Sequence, residues 1–358
     1  MRNLIFPIAA LALFASPVID GAATGRLLAQ QQDKQSTEQQ IVVRTIVEGL
    51  NNPFSLTIEK ETNRVYVAES GAGRIVEIKD GQAVELADDF PVTEFRGYAA
   101  GPLSVFSAGE SVLLVGHDSD AEKGSITRLK EKLRDEDADA AEPEFDRQTV
   151  TIDNSPGPKL RQLSNLLLKH GTVYAVTHGD KKNGWLAVAD IRAEEVTSLS
   201  PSIATTRDTE RTEPSCVTVS PSGAYLLVSQ MGQRGPANDS RLVFYTLQGK
   251  LLSHFDVELN DIVALAYSPN RKHLFAIDYS FADPDKGALY KLIGNGSDGC
   301  TTRKLADISY VTSMAFDASG ALWLTSLGGP PSTDGKLNGK VIKIEGLDEP
   351  SDNAEQPQ

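Results

Sequence analysis

Cysteine is nearly absent from this chain of 358 residues: Cys216 and Cys300 are the only two. A pair cannot make a disulfide scaffold, and neither has a spacing partner suited to binding a metal. Cys216 lies in an alternating apolar run, which predicts a buried thiol. Histidine is also scarce, with five residues and no two at a tight metal-binding spacing. Positive charge is in deficit: 35 Lys and Arg against 49 Asp and Glu give a net charge of −14. With no basic run to offset it, that balance argues against nucleic acid and against anionic membranes as partners. Beyond the N-terminal segment no apolar run is long enough to span a bilayer, so no stable membrane anchor is expected. No serine sits in a GxSxG elbow. The connector Ser70-Gly71-Ala72-Gly73 lacks the third glycine and the following helix that a dinucleotide loop requires, because Arg74 and Ile75 begin another alternating run.

What is present starts with targeting. Arg2 precedes the apolar run LIFPIAALALFASPVI, and small residues follow at Gly21, Ala22 and Ala23. That order predicts a signal peptide over 1–23 and export to the periplasm or the outside after cleavage. Residues 24–40 are polar with nothing to bury and are expected to be a disordered leader, and 347–358 a disordered tail.

Between these ends one pattern recurs six times: a short apolar strand, a turn, and a second apolar strand ending in a polar residue. Its copies centre on Ile58, Phe106, Leu167, Val219, Tyr267 and Phe316. Turn residues such as SPSG, SPNR and DASG separate the halves, which is a hairpin signature. Third and fourth strands follow most copies, and the spacing is about fifty residues, as in a propeller blade. The longest spacing contains the charged stretch 130–147, read as an insertion in blade 2. The last copy lacks a fourth strand, while residues 41–50 form an orphan strand ahead of the first. Inserting that strand into the last blade closes the ring. The expectation is an all-β, single-domain, six-bladed β-propeller over 41–346. Its blades are four-stranded and antiparallel, its ring is closed by the N-terminal strand, and it is expected to be monomeric.

The first copy carries Leu50-Asn51-Asn52-Pro53, then Val65-Tyr66-Val67-Ala68-Glu69, then Gly73-Arg74-Ile75. It resembles repeats of NHL and SMP-30/gluconolactonase-type propellers, and is similar also to the scytonemin-cluster ScyD/ScyE proteins. The resemblance implies a central channel with a binding face at one mouth. The SMP-30 type further implies a divalent metal such as calcium, held by a Glu, an Asn and an Asp from different blades. Here Asn52 stands where the Glu is expected, Glu213 near the Asn position, and Asp261 near the Asp position. Glu213, Asp261 and Asp278 are therefore the metal candidates, as substitute oxygen ligands.

In such propellers the second strands should end around the mouth, at Glu69, His117 or Gly116, Thr177, Gln230, Asp278 and Ser326. The loops leading into each blade add Asn52, Arg161, Glu213, Asp261 and Tyr310. From these the ligand-binding candidates are Asn52, Glu69, His117, Glu213, Gln230 and Asp278. The same residues could instead solvate a water-filled channel mouth. His117-Asp118 and His178-Gly179-Asp180 recur at matching blade ends, which suits either a general base or a turn. Asp135, Asp137 and Asp139 resemble a calcium loop, but Ala140 and Asp146 replace its glycine and glutamate, leaving a solvated acidic loop. Loops GQRGPAND and SLGGPPSTDGKLNG should project over the channel face.

Three functions fit this reading. The leading expectation is an exported non-catalytic propeller that binds a small polar ligand, a glycan or a protein on its loop face, because the lactonase ligand set is altered. The alternative is a divalent-metal-dependent lactonase or hydrolase. A quinone-dependent sugar dehydrogenase would need a basic, histidine-equipped face, and the acidic balance speaks against it.

Overall fold

The computed structural model describes residues 41–347 except 120–122, 133–142, 153–157, 159, 178–183, 193–194, 234–237, 271–272, 296–298 and 332–336. The expected signal peptide, the leader, the tail beyond 347, His178 and the acidic stretch Asp135 to Asp139 lie outside the described residues.

Six antiparallel sheets form a six-bladed β-propeller. Blade 1 runs Pro53–Ile58, Val65–Glu69, Arg74–Lys79 and Gln82–Ala87 from the centre outward. Blade 2 is Ser104–Gly109, Val112–Asp118, Gly124–Glu131 and Phe145–Thr151. Its last two strands are in register from Ser125↔Thr151 to Glu131↔Phe145, so both ends of the 130–147 stretch are strand. In blade 3 the strands Leu163–Lys169, Thr172–Thr177 and Trp185–Arg192 are followed by two short outer pieces, Glu195–Val196 and Ser200–Ile203. Blades 4 and 5 begin at Pro214–Val219 and Ile262–Tyr267 and continue as regular meanders. Blade 6 is Val311–Phe316, Leu322–Ser326 and Gly339–Glu345, and its outer strand is Val42–Leu50 from the other end of the domain. That strand pairs from Val42↔Glu345 to Leu50↔Gly339 and closes the ring.

The core is not central. Period-two alternation sends successive side chains of each strand to opposite faces, and each face meets a neighbouring blade. The result is a set of wedges between blades. Tyr66, Ile75, Val105 and Leu113 fill the one between blades 1 and 2. Phe275, Leu289, Met314 and Leu324 fill the one between 5 and 6. Val47, Val67, Val76 and Val341 fill the closing wedge. Second strands are buried on both faces, Val65–Glu69 along its whole length, which explains their near-continuous apolar runs. The axis is left to the innermost strands, and their channel is where a site can form. Both cysteines are free thiols; Cys216 is buried in the wedge between blades 4 and 5, and burial pushes it up to about 12.

Candidate active site

Five of the six innermost strands carry a register shift at their second residue: between Pro53 and Ser55, Leu163 and Asn165, Pro214 and Cys216, Ile262 and Ala264, and Val311 and Ser313. A β-bulge leaves one residue out of the ladder and re-aims its side chain. The bulged residues are Phe54, Ser164, Ser215, Val263 and Thr312. In blade 2 the corresponding place falls to Leu103, whose N–H donates to Gly116 O at 2.9 Å. All six line one cavity of about 620 Å³, so each blade contributes one floor residue.

Hydroxyls in this ring tie blades together. Ser215 Oγ donates to Ile262 O of blade 5, and Thr312 Oγ1 donates to Pro53 O of blade 1 at 2.9 Å. One residue beyond Leu103, Ser104 Oγ donates to Leu163 O of blade 3 at 2.7 Å. These bonds join neighbouring blades at every second junction of the ring, 2 to 3, 4 to 5 and 6 to 1.

The roof comes from a connecting segment. Between blades 1 and 2, Thr93–Phe95 and Tyr98–Ala100 form a separate hairpin. Its two-residue turn, Arg96 at φ 55° and Gly97 at φ 85°, has the left-handed backbone of a tight hairpin turn. The hairpin spans the mouth. Arg96 Nη2 bonds Glu213 Oε2 of blade 4 at 3.0 Å. The Arg96 guanidinium stacks on Phe95 at 5.0 Å and on Phe281, which follows the second strand of blade 5, at 4.4 Å. Tyr98 Oη donates to Gly329 O in blade 6 at 3.0 Å. The blade 6 loop reaches this point by passing close to its own return: a Cβ on Gly328 would lie 1.8 Å from Asn338 O, so only glycine fits.

The chain holds twelve Phe, nine Tyr and two Trp, and six of these rings line this one cavity: Phe54, Phe95, Tyr98, Tyr279, Phe281 and Tyr310. They form a connected set. Phe54 meets Phe95 and Tyr98 edge-on at 5.6 and 6.1 Å, and Tyr279 meets Phe281 and Tyr310 at 4.3 and 6.1 Å. Burial, the largest influence, raises the phenols of Tyr98 and Tyr279. Both stay protonated through the physiological range.

The expected residues are distributed differently. Glu69, Gln230 and Asp278 do end second strands, opposite Pro53, Pro214 and Ile262. Their side chains, however, turn to the backbone leading into their own blade. Glu69 Oε1 accepts from Asn51 N at 2.7 Å and Oε2 from Arg74 Nε at 2.7 Å. Gln230 Nε2 donates to Arg211 O at 2.9 Å. Asp278 accepts from the N–H groups of Asn260, Asp261 and Ser280 at 2.9–3.0 Å. His117 is buried, with Nε2 at 2.8 Å from Thr127 Oγ1 and its ring edge-on to Phe90. Burial, its largest influence, lowers its pKa. Asn52 donates to Ala99 O of the hairpin at 3.1 Å. Of the six binding candidates, Glu213 alone is bonded to a wall residue of the cavity.

Leading residues follow a rule of their own. Asn52, Gln162, Glu213 and Tyr310 all have positive φ, 48–59°, immediately before the innermost strand. Gln162, not Arg161, occupies that place in blade 3. Asp261 holds it in blade 5 and is fully buried. Its Oδ2 accepts from Phe281 N at 2.7 Å, and its Oδ1 makes no hydrogen bond among the described residues. Burial raises this carboxyl to about 6; the Phe281 N–H opposes the shift and the Asp278 charge adds to it.

These donors do not fit a divalent cation. Glu213 is held by Arg96, Asp278 is saturated by backbone N–H groups, and Asp261 accepts from Phe281. Among the described residues no three His, Cys, Asp or Glu side chains cluster as a metal would need.

No protein-family profile matches the chain, and no curated protein does. Solved structures do. A putative oxidoreductase (glucose dehydrogenase) from Thermus thermophilus superposes with a TM-score of 0.59 at 15% identity, covering 85% of this chain and 100% of its own. A putative gluconolactonase gives 0.55 at 13%, over 85% and 91%. A gluconolactonase from Xanthomonas campestris gives 0.54 at 10%, over 85% and 89%. The chain has the fold of the gluconolactonase-type six-bladed propellers. The leading expectation of a non-catalytic binding platform is thereby corrected: these three structures are named as an oxidoreductase and two gluconolactonases, which favours the alternative, lactonase-type reading. An altered ligand set does not exclude an enzyme, because a site can be rebuilt from loops while the ring of blades stays the same.

The mouth hairpin is the feature that sequence reasoning missed. Its signal was present in TEFRGYAA, where Phe95 and Tyr98 flank an Arg-Gly turn.

Proposed function

We propose that the protein is a hydrolase of the lactonase type, acting on a small cyclic or aryl ester at the channel mouth. The observation that carries this is the Arg96–Glu213 pair, 3.0 Å apart and mostly buried, at the wall of a roofed cavity. Hydrolysis needs a base for water and a positive group where the carbonyl oxygen gathers charge. Glu213 takes the proton as the water oxygen bonds to the acyl carbon, and Arg96 faces the oxyanion. The ester C–O bond then breaks, and the leaving oxygen receives the proton. Phe95 and Phe281 hold the guanidinium in place and exclude water from it. No step is assigned to a metal, because the donor set does not suit one. The exported location expected from residues 1–23 belongs to the same proposal.

The test is a pH-stat assay of the purified protein against a panel of lactones and aryl esters. Turnover above buffer is expected, with kcat reduced about 100-fold or more in Glu213→Gln. A wild-type protein that hydrolyses none of the panel, or a Glu213→Gln variant with unchanged kcat, overturns the reading.

A further inference from the structure

The lining of the mouth cavity names the class of ligand. A polyhydroxylated sugar lactone presents a hydroxyl on almost every carbon, and each needs a partner once water is expelled. Three hydroxyls around this cavity are already engaged with the protein. Ser215 Oγ lies on Ile262 O and at 2.8 Å from Ser229 Oγ. Thr312 Oγ1 lies at 2.9 Å from Pro53 O and 3.0 Å from Thr325 Oγ1. Tyr98 Oη is spent on Gly329 O. A sugar would break bonds that hold blades and roof together. The floor adds Phe54, Leu103 and Val263, and the wall adds Met231, Leu327 and the Pro330–Pro331 pair.

The rings are arranged to receive another ring. Phe54 stands edge-on to Phe95 and Tyr98, Tyr279 stands edge-on to Tyr310, and Tyr98 and Tyr279 pack in one cluster, so the rings form one continuous aromatic wall. Aromatic rings favour offset-stacked or edge-to-face partners, and a planar ligand laid against that wall gains such contacts. A volume of about 620 Å³ lies within the range of ordinary small-molecule pockets.

We propose that this cavity binds a planar aromatic ligand of one or two rings, so that the substrates are aryl esters or aromatic lactones and not sugar lactones. Turnover of such substrates rests on the hydrolase reading above; binding of the ring does not. Placed among these rings, the ligand brings its ester group to Arg96, where cavity and ion pair meet. The chain's net charge of −14 disfavours an anionic ligand, which points to a neutral one.

The probe is 2-naphthol, which has the ring and no ester to cleave, with glucitol as the polyol control. Titration calorimetry on the full chain is expected to show one site for 2-naphthol and none for glucitol. Phe281→Ala is expected to weaken naphthol binding about tenfold or more, with Phe281→Tyr retaining it. Phe281 sits on a half-exposed loop, and a melting curve for each variant verifies its fold. As a second variant, Phe54→Leu tests the floor without touching the Arg96 stack. Glucitol binding more tightly than 2-naphthol, or naphthol binding unchanged in both Phe281→Ala and Phe54→Leu, overturns the proposal. The two readings separate cleanly. Naphthol binding without turnover of 1-naphthyl acetate or any lactone sustains the ligand class and removes the hydrolase. Turnover of gluconolactone without naphthol binding does the reverse.

Discussion

At the turn end of the channel, a cavity of about 510 Å³ is walled by consecutive residues of the innermost strands, such as Ser55 to Ile58, Leu265 to Tyr267 and Ser313 to Phe316. At the mouth, each of the same strands supplies one floor residue, and the connecting segments supply the rest. The turns at the far end are short and reach no further than an adjacent blade, as where Ser111 N donates to Glu59 Oε1 at 2.9 Å. Asp317 shows how: it accepts from Ser319 N, Ala321 N and Trp323 Nε1 at 2.8–3.0 Å, closing its own hairpin. Mouth segments reach across instead, from blade 1 to blades 4, 5 and 6. Strands build the tube, and the segments between blades give its two ends different linings.

This contrast breaks most sharply in activity. Glu213→Gln should cost about 100-fold or more in kcat, whereas Lys60→Ala at the turn end should leave turnover as it is. Equal losses in both would mean that the mouth is not the site.

Stability should show the opposite asymmetry. Burial tends to raise the Asp317 carboxyl, but its bonds to Ser319, Trp323 and Ala321, with nearby Lys343, outweigh that and lower it. The stabilisation is therefore complete above the unfolded pKa and is lost as pH falls through the lower, folded one. Asp317→Ala should cost about 2–3 kcal/mol, or roughly 5–10 °C in melting temperature at neutral pH. Naphthol binding, measured calorimetrically, should survive. Loss of binding along with the melt would show that the two ends are not independent.

Smaller effects sharpen the picture within the mouth. Thr312→Val removes one inter-blade bond and should lower the melting temperature by roughly 2–4 °C. Asp261 runs counter to Asp317. Its folded carboxyl keeps a proton to about pH 6, well above the unfolded value, so the folded state binds more protons between the two. Stability then falls as pH rises through that window. Asp261→Asn should flatten the melting profile between pH 4 and 7 and gain roughly 2–4 °C at pH 7.5. An unchanged slope would mean that this carboxyl is ionised throughout.

The blades were legible because alternation is a property of each strand alone, and six repetitions made it unmistakable. The ring closure followed from a missing strand at one end and a spare one at the other. The site was less legible for a physical reason. A bulge moves the mouth-facing position by one residue, so the floor passes to Phe54, Ser164, Ser215, Val263 and Thr312. Second-strand ends such as Glu69 and Asp278 carry acid side chains that sequence alone cannot tell from ligands. In the fold they accept the N–H groups that a left-handed or tightly turned leading segment exposes. Glu213 stood among the candidates, but its partner Arg96 lies 117 residues away. Only the folded hairpin brings the two together.

The closing strand has a consequence for the order of assembly. Val42 and Glu345 are partners separated by almost the whole domain, so the last blade is completed only when both ends meet. Until then, blade 1 has no neighbour on one side, and Gly329 has not come within reach of Tyr98. The roof of the cavity depends on that same meeting. A chain whose ring has not yet shut therefore has no finished pocket, and the mouth is completed only through closure.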